Sequence, residues 1–376
     1  MLFPLIVNFN DATPALRMIF FRSLVVFSFI LFLFWSYKNG LRIGLGVGFL
    51  LAYVIVLALT SAIGLAPHNS FFDITFRRYA SVIDIGFFAV FALMVSNAFG
   101  SVEWSKFFTM SILVGVAMAL FGMIAYHNLG HAELEVRLAS TLANPINFAA
   151  FMVTVSAFVL SKLEDNRSPL EYALLGACLF LFLISIWFSA TRGTVLAMVF
   201  VSVVWAFRYY RLKLPRKPVV IFCASVLACV GLAIVFTGDY RMIDRFDRLN
   251  SSASENASAN IRTAGIEAGF KSLSENPLGI GTRNFWALGI SNLDDAHNFL
   301  AESAVTAGYP GLILWILISV SGFWLLRKDR MLPAWAGIQV LSMFMLGFPA
   351  FWFQIAILIG YASRQGGFTL WTNKNS

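Results

Sequence analysis

Three side chains in this 376-residue sequence bring chemistry that a lipid-facing helix does not require: Arg192, Arg262 and His297. Arg192 ends the turn Ser189-Ala190-Thr191-Arg192 after an apolar run, with no acid beside it in sequence. Arginines at a membrane edge without such a neighbour tend to be functional, snorkelling being the plainer alternative. A guanidinium stays charged at physiological pH and binds oxyanions through paired donors. An imidazole, with an unperturbed pKa of about 6.5, can take a proton near neutral pH. Taken singly, Arg262 reads as a solvated loop charge and His297 as a capping histidine. Arg137, Arg245, Arg248 and Arg283 are further candidates for binding oxyanions, against the plainer reading of loop charges paired with Asp244, Asp247 and Asp294. Asn144 and Asn147 either donate hydrogen bonds to substrate or cap the following helix, and Asn298 joins them as a substrate-binding candidate. His127 and His131 have an i, i+4 spacing that can hold a metal, yet no third ligand or HExxH pattern accompanies them, so no metal site is expected. Glu302 lies near His297 at i+5 and receives no role.

The elements that must position these groups are membrane helices. The chain is 59% hydrophobic and 12% charged, with mean hydropathy +0.78, whereas soluble domains average about 25% charged residues. Apolar runs long enough to cross about 30 Å of hydrocarbon recur from Met18 to Ala362, and lipid forbids open strands. The expected fold is an all-α polytopic transmembrane bundle of about 11–12 spans. Its runs cover 17–36, 42–65, 79–99, 107–126, 145–162, 170–189, 194–208, 219–237, 309–326, 332–347 and 350–363. Cys178, Cys223 and Cys229 all fall inside apolar runs and imply no disulfide framework. No cleavable signal peptide is expected, because the first run leads into further spans.

Residues 238–296 break this pattern and divide the chain into N-terminal helices (1–237), a large loop with short helices (238–308) and C-terminal helices (309–376). Ser251–Asn260 reads as mobile, while Ile261–Ser274 has helical spacing. Glu275-Asn276-Pro277-Leu278-Gly279-Ile280-Gly281 must turn tightly, and Asp294 to Asn298 opens another helix.

Loop charges orient the bundle. Arg208, Arg211, Lys213, Arg216 and Lys217 form an acid-free basic stretch that the positive-inside rule assigns to the cytoplasm. Counting from it puts Lys38/Arg42, Lys162/Arg167 and Arg327/Lys328/Arg330 on the same side, and 127–144, Arg192, 238–296 and the turn at Phe348-Pro349 on the other. Arg77 and Arg78 run against the rule, which leaves the first spans less firmly oriented. The net charge of +8 fits anionic lipid headgroups better than nucleic acid, since its largest cluster is juxtamembrane and lacks a stacking platform.

Four segments resemble the O-antigen ligase and polymerase superfamily of membrane glycosyltransferases: Arg137–Asn147 (RLASTLANPIN), Ser189–Gly193 (SATRG), Arg262–Gly281 (RTAGIEAGFKSLSENPLGIG) and His297–Gly311 (HNFLAESAVTAGYPG). Each is short, but they follow the family order over about the C-terminal two thirds of the chain. The family usually has one span more than the runs read here. The resemblance implies transfer of a polysaccharide from undecaprenyl diphosphate to an acceptor hydroxyl at the periplasmic face of the bacterial inner membrane, without a cofactor. It carries the family's two phosphate-binding arginines onto Arg192 and Arg262, and its essential histidine onto His297. For a ligase the acceptor is the lipid A-core oligosaccharide. For a polymerase, the alternative reading, it is a second lipid-linked glycan. A protein O-oligosaccharyltransferase is disfavoured by the modest length, and a transporter by the lack of paired repeats and mid-membrane ionisable groups other than Asp84.

Overall fold

The computed structural model describes residues 14–72, 81–128, 138, 145–165, 167–189, 191–212, 217–237, 257–289, 298–343, 349–364 and 367–371. Its helices are α1 (Pro14–Asn39), α2 (Leu45–Ile63), α3 (Pro67–Phe72), α4 (Val82–Ala98), α5 (Ser101–Asn128), α6 (Pro145–Leu163), α7 (Pro169–Phe188), α8 (Arg192–Leu212), α9 (Lys217–Thr237), α10 (Ala257–Glu275), α11 (Phe299–Leu326), α12 (Leu332–Ser342) and α13 (Pro349–Ser363). A helix overlaps every apolar run read from the sequence. Among the described residues six stretches are long and apolar enough to cross a membrane: Leu45–Ile63, Val102–Ala125, Pro145–Leu163, Pro169–Phe188, Arg192–Arg211 and Phe299–Leu326. The protein is a helical, multi-pass membrane protein.

Two local expectations change. The helix α10 begins at Ala257, inside the stretch read as mobile, so Arg262 sits on its second turn and not its first. A short antiparallel ribbon pairs β1 (Leu41–Gly44) with β2 (Gly367–Trp371). The amide of Asn97 answers the polar backbone of Arg42, accepting from its N–H and donating to its C=O, each at 2.9 Å. Lipid excludes strands only where their edges lack partners.

The chain forms two compact units. One comprises Met1–Asn10, Ser101–Asn256 and Lys328–Leu341. Within it α6 is largely buried, with Phe148, Met152, Ser156 and Leu160 fully enclosed, and Phe158 packs on Phe108 of α5 at 4.7 Å between ring centroids. Small residues let backbones approach: the hydroxyl of Ser225 on α9 donates to Gly176 O on α7 at 3.2 Å.

The other unit comprises Asp11–Gly100, Ala257–Arg327 and Ser342–Ser376. Asp84 is fully buried at the start of α4, where it forms a capping box with Ser81 and accepts from Arg22 Nε of α1 at 2.8 Å. A buried carboxylate needs such partners, so the ionisable group that stood out in an apolar run joins two helices.

The helix α11 is broken at Gly308, whose φ of 59° and ψ of −153° lie outside the helical region. Phe299 stacks on Trp315 with centroids 4.0 Å apart, although sixteen residues of unbroken helix would separate them by about 24 Å. The segment 299–307 therefore folds back along the segment after Pro310 as a short re-entrant helix. A side chain at Gly311 would press on Ala307 and Ser303, so the reversal depends on small residues. Tyr53 of α2 braces it, its hydroxyl 3.2 Å from that of Ser303.

Candidate active site

The first unit brings two of the four quoted segments together. Leu138, buried and next to Arg137 in sequence, donates its N–H to Phe188 O at 3.3 Å. That bond ties the RLASTLANPIN segment to the end of α7, immediately before the SATRG turn. In the turn, Ser189 Oγ donates to Ile186 O at 2.6 Å, and Thr194 Oγ1 donates to Thr191 O at 2.7 Å. Ser189 and Thr194 are fully buried, so the bend is set by side-chain hydroxyls closing on their own backbone.

Arg192 is the first residue of α8 and is half-buried. A helix N-terminus carries about half a positive charge, so a cation there opposes the macrodipole. The arginine is thus placed against the preference of its own helix. Guanidinium and N-terminal N–H groups together favour an anion. Asn147 is the third residue of α6 and half-buried.

The second unit joins the other two segments. Ile280 N donates to Val305 O at 2.8 Å, Gly281 N to Thr306 O at 3.1 Å, and Tyr309 N to Pro277 O at 3.0 Å. The first two satisfy carbonyls, and the third an N–H, left over where α11 breaks. Gly279 and Gly308 touch directly, and a Cβ on either would overlap the opposing backbone. The NPLGIG and AGYPG motifs thus make one joint. Further along, Gly269 of α10 lies against Ala301, so α10 runs beside the re-entrant helix of α11.

Asn298 caps that re-entrant helix. Its Oδ1 accepts from Leu300 N at 3.0 Å and Ala301 N at 3.1 Å, while Nδ2 donates to Met343 O at 3.2 Å. The side chain named as a substrate ligand is occupied in orienting the helix that follows His297. Arg283 lies in the turn after the joint with φ of 64°. Arg262 is carried by α10. Arg137, Asn144, Arg245, Arg248 and His297 lie outside the described residues, as does the side chain of Arg262.

Sequence reasoning missed the residues that hold this turn: Ser61, Ser70, Thr282 and Asn284, all buried. The available signal was polar residues around Gly64 and Pro67 in an otherwise apolar third of the chain.

Residues 177–316 match the family model described as O-antigen ligase. That match supports the O-antigen ligase/polymerase superfamily over rather less than half of the chain. No curated protein gives a significant match. The superfamily match encloses Arg192, Arg262, His297 and the NPLGIG–AGYPG joint, while Arg137, Asn144 and Asn147 precede it. Ligase- or polymerase-type chemistry is the function of this superfamily, and lipid-linked glycans are the substrates it suggests.

Proposed function

We propose that this protein is an O-antigen ligase. It transfers polysaccharide from undecaprenyl diphosphate to the lipid A-core oligosaccharide at the periplasmic face of the bacterial inner membrane. The observation that carries the reading is the O-antigen ligase match over residues 177–316, which contains all three chemical groups read from the sequence. The placement of Arg192 at the start of α8 supports it, because helix and side chain there favour the same anion.

In this reading Arg192 and Arg262 hold the diphosphate, whose negative charge grows as the glycosidic bond breaks. His297 takes the proton of the acceptor hydroxyl as its oxygen attacks the anomeric carbon, and undecaprenyl diphosphate departs with the bonding pair. Attack from the face opposite the leaving group inverts the anomeric centre, and the diphosphate bond supplies the driving force without ATP. Arg137, Arg245 and Arg248 hold further phosphate or sugar oxygens, and Asn144 and Asn147 donate hydrogen bonds to the substrate.

Reconstitution with lipid-linked glycan plus lipid A-core tests the reading. Substituting Arg192, Arg262 or His297 with Ala is expected to lower transfer on the order of 10²-fold or more, equivalent to about 3 kcal/mol. The Arg192→Ala/His297→Ala double variant should fall little below either single, because groups acting on one diphosphate sugar are not additive. A growing ladder of glycan on undecaprenyl diphosphate, formed without lipid A-core, would turn the assignment to polymerase. A retained anomeric configuration would remove the direct-attack mechanism.

A further inference from the structure

Between α10 and α11, residues Gly281 to Gly289 form a turn whose backbone is fixed by the N-terminal part of the chain, outside the family match. Thr282 N donates to Ser61 Oγ at 3.1 Å, and Ser70 Oγ donates to Thr282 O at 2.7 Å. Asn284 Nδ2 donates to Ile280 O at 2.7 Å and to Ser70 Oγ at 3.4 Å. Leu65 N donates to Ile280 O at 3.3 Å, and Gly64 lies so close to that carbonyl that no side chain fits between them. The corner between α2 and α3 therefore grips the first half of the turn. Its second half is pinned by Phe285, buried with Ile280, Ala301 and Val305. The short 3-10 turn Phe285–Leu288 then ends at left-handed Gly289.

Two side chains on this rigid frame are at odds with stability. Arg283, half-buried, has a left-handed backbone, which is uncommon for any residue but glycine, asparagine or aspartate. Trp286 is 58% exposed although the residue before it is fully buried. The neighbours of Arg283 add a further cost: Asn284 Oδ1 and Thr282 Oγ1 are buried and accept no hydrogen bond among the described residues. Strain and unsatisfied polar atoms concentrated around one half-buried side chain are a mark of function.

The chemistry of the displayed pair selects a ligand. An indole face attracts the polarised C–H groups on the apolar side of a sugar ring through its quadrupole. A guanidinium three residues earlier in the same turn can donate to hydroxyl, carboxylate or phosphate oxygens on the ring edge. Three residues apart on a turn held by hydrogen bonds and by buried Phe285, the two together suit a saccharide better than a lipid tail or a peptide.

We propose that the Gly281–Gly289 turn is a saccharide subsite, with Trp286 stacking on a sugar ring, Arg283 binding its oxygens, and Ser61, Ser70 and Asn284 positioning both. The proposal rests on the glycan-transfer reading. The sugar belongs either to the donor glycan or to the acceptor, and kinetics with the two substrates varied separately tell which.

The test uses the full chain in proteoliposomes with undecaprenyl-diphosphate glycan and lipid A-core. Trp286→Ala and Arg283→Gly should each raise the same one of the two KM values at least tenfold while leaving kcat within about threefold. Trp286→Phe should restore most of the loss, because Phe keeps an aromatic face. Arg283→Gly should melt no lower than wild type, since glycine relieves the left-handed backbone, which separates lost binding from lost fold. Ser70→Ala should raise that same KM, and should add nothing in the Arg283→Gly background. Both KM values unchanged in Trp286→Ala and Arg283→Gly, with Arg192→Ala and Arg262→Ala inactive, would overturn the subsite and leave the glycan-transfer reading intact. Full rescue by Trp286→Leu would show a bilayer anchor in place of a sugar platform and also overturn it. Arg192→Ala and Arg262→Ala both retaining full turnover would bring down the parent reading and this one with it.

Discussion

Two arginine-bearing turns in this protein are held in opposite ways. In the turn between α6 and α7, Arg167 donates to Asp165 at 2.7 Å and to Glu171 at 3.2 Å. Burial alone would lower the pKa of this guanidinium, but those hydrogen bonds and the neighbouring negative charges raise it overall. Around it Arg330 binds Asp165 at 2.7 Å, and Arg208 grips Glu164 through two nitrogens while donating to Lys328 O. There charge answers charge. In the turn after α10, neutral side chains hold a left-handed backbone and Arg283 is the residue displayed. The first arrangement fastens helix ends. The second accepts strain to fix where a cation stands, which is what a binding site requires.

If backbone geometry rules the second turn, a single methyl should destroy it. Gly308 occupies a φ, ψ region that only glycine visits readily, and a Cβ there would run into Pro277 O and the backbone of Leu278 and Gly279. Gly308→Ala is expected to cost about 4 kcal/mol or more, from dihedral strain plus overlap. The readout is the monodisperse yield and melting temperature of detergent-purified protein. A Gly308→Ala variant that melts within 2 °C of wild type, taking about 1 °C per kcal/mol for a chain of this size, would show that the joint can relax and that Arg283 is not rigidly held.

Next in size comes the ion-paired end. The Glu164 and Arg208 side chains are only 7% and 11% exposed, so removing one partner leaves the other charge poorly solvated. Glu164→Ala should destabilise by about 3 kcal/mol while leaving both substrate KM values unchanged, since this network fastens helices and touches no proposed ligand. A change in either KM without a change in melting temperature would erase the distinction between the two turns.

How much of this was legible in the sequence follows the range of the interactions. Apolar runs long enough to cross a membrane specify helices locally, which is why every run is matched and why a span starting at 309 already anticipates the break at Gly308. The Ile261, Ala264, Ala268 and Leu273 spacing likewise showed α10. What stayed hidden depends on distant partners. The β1–β2 ribbon joins residues more than 300 positions apart. Ser61 and Ser70 are unremarkable until the fold lays Thr282 and Asn284 against them. The sequence marks Asn298 as a substrate-binding candidate, and only the positions of Leu300 and Ala301 N–H show its side chain capping a helix. The fold-back of α11 rests on a single backbone torsion that AGYPG permits but does not announce.

The smallest effect belongs to the outer rim of the charged network. Arg330 and Asp165 are 37% and 36% exposed, and Asp165 keeps its bond to Arg167 when Arg330 is removed. An exposed pair gains little from Coulomb attraction in high dielectric and loses side-chain entropy in forming, so Arg330→Ala should cost no more than about 1 kcal/mol. Its effect should shrink further in about 1 M salt, where the Debye length falls to about 3 Å, whereas the enclosed Glu164–Arg208 pair should remain nearly as costly to break. Melting curves of both variants at low and high salt make the comparison directly. Equal salt sensitivity of the two would mean that the inner pair is as open to ions as the rim, and the network would then be a solvated cluster with no enclosed pair at its centre.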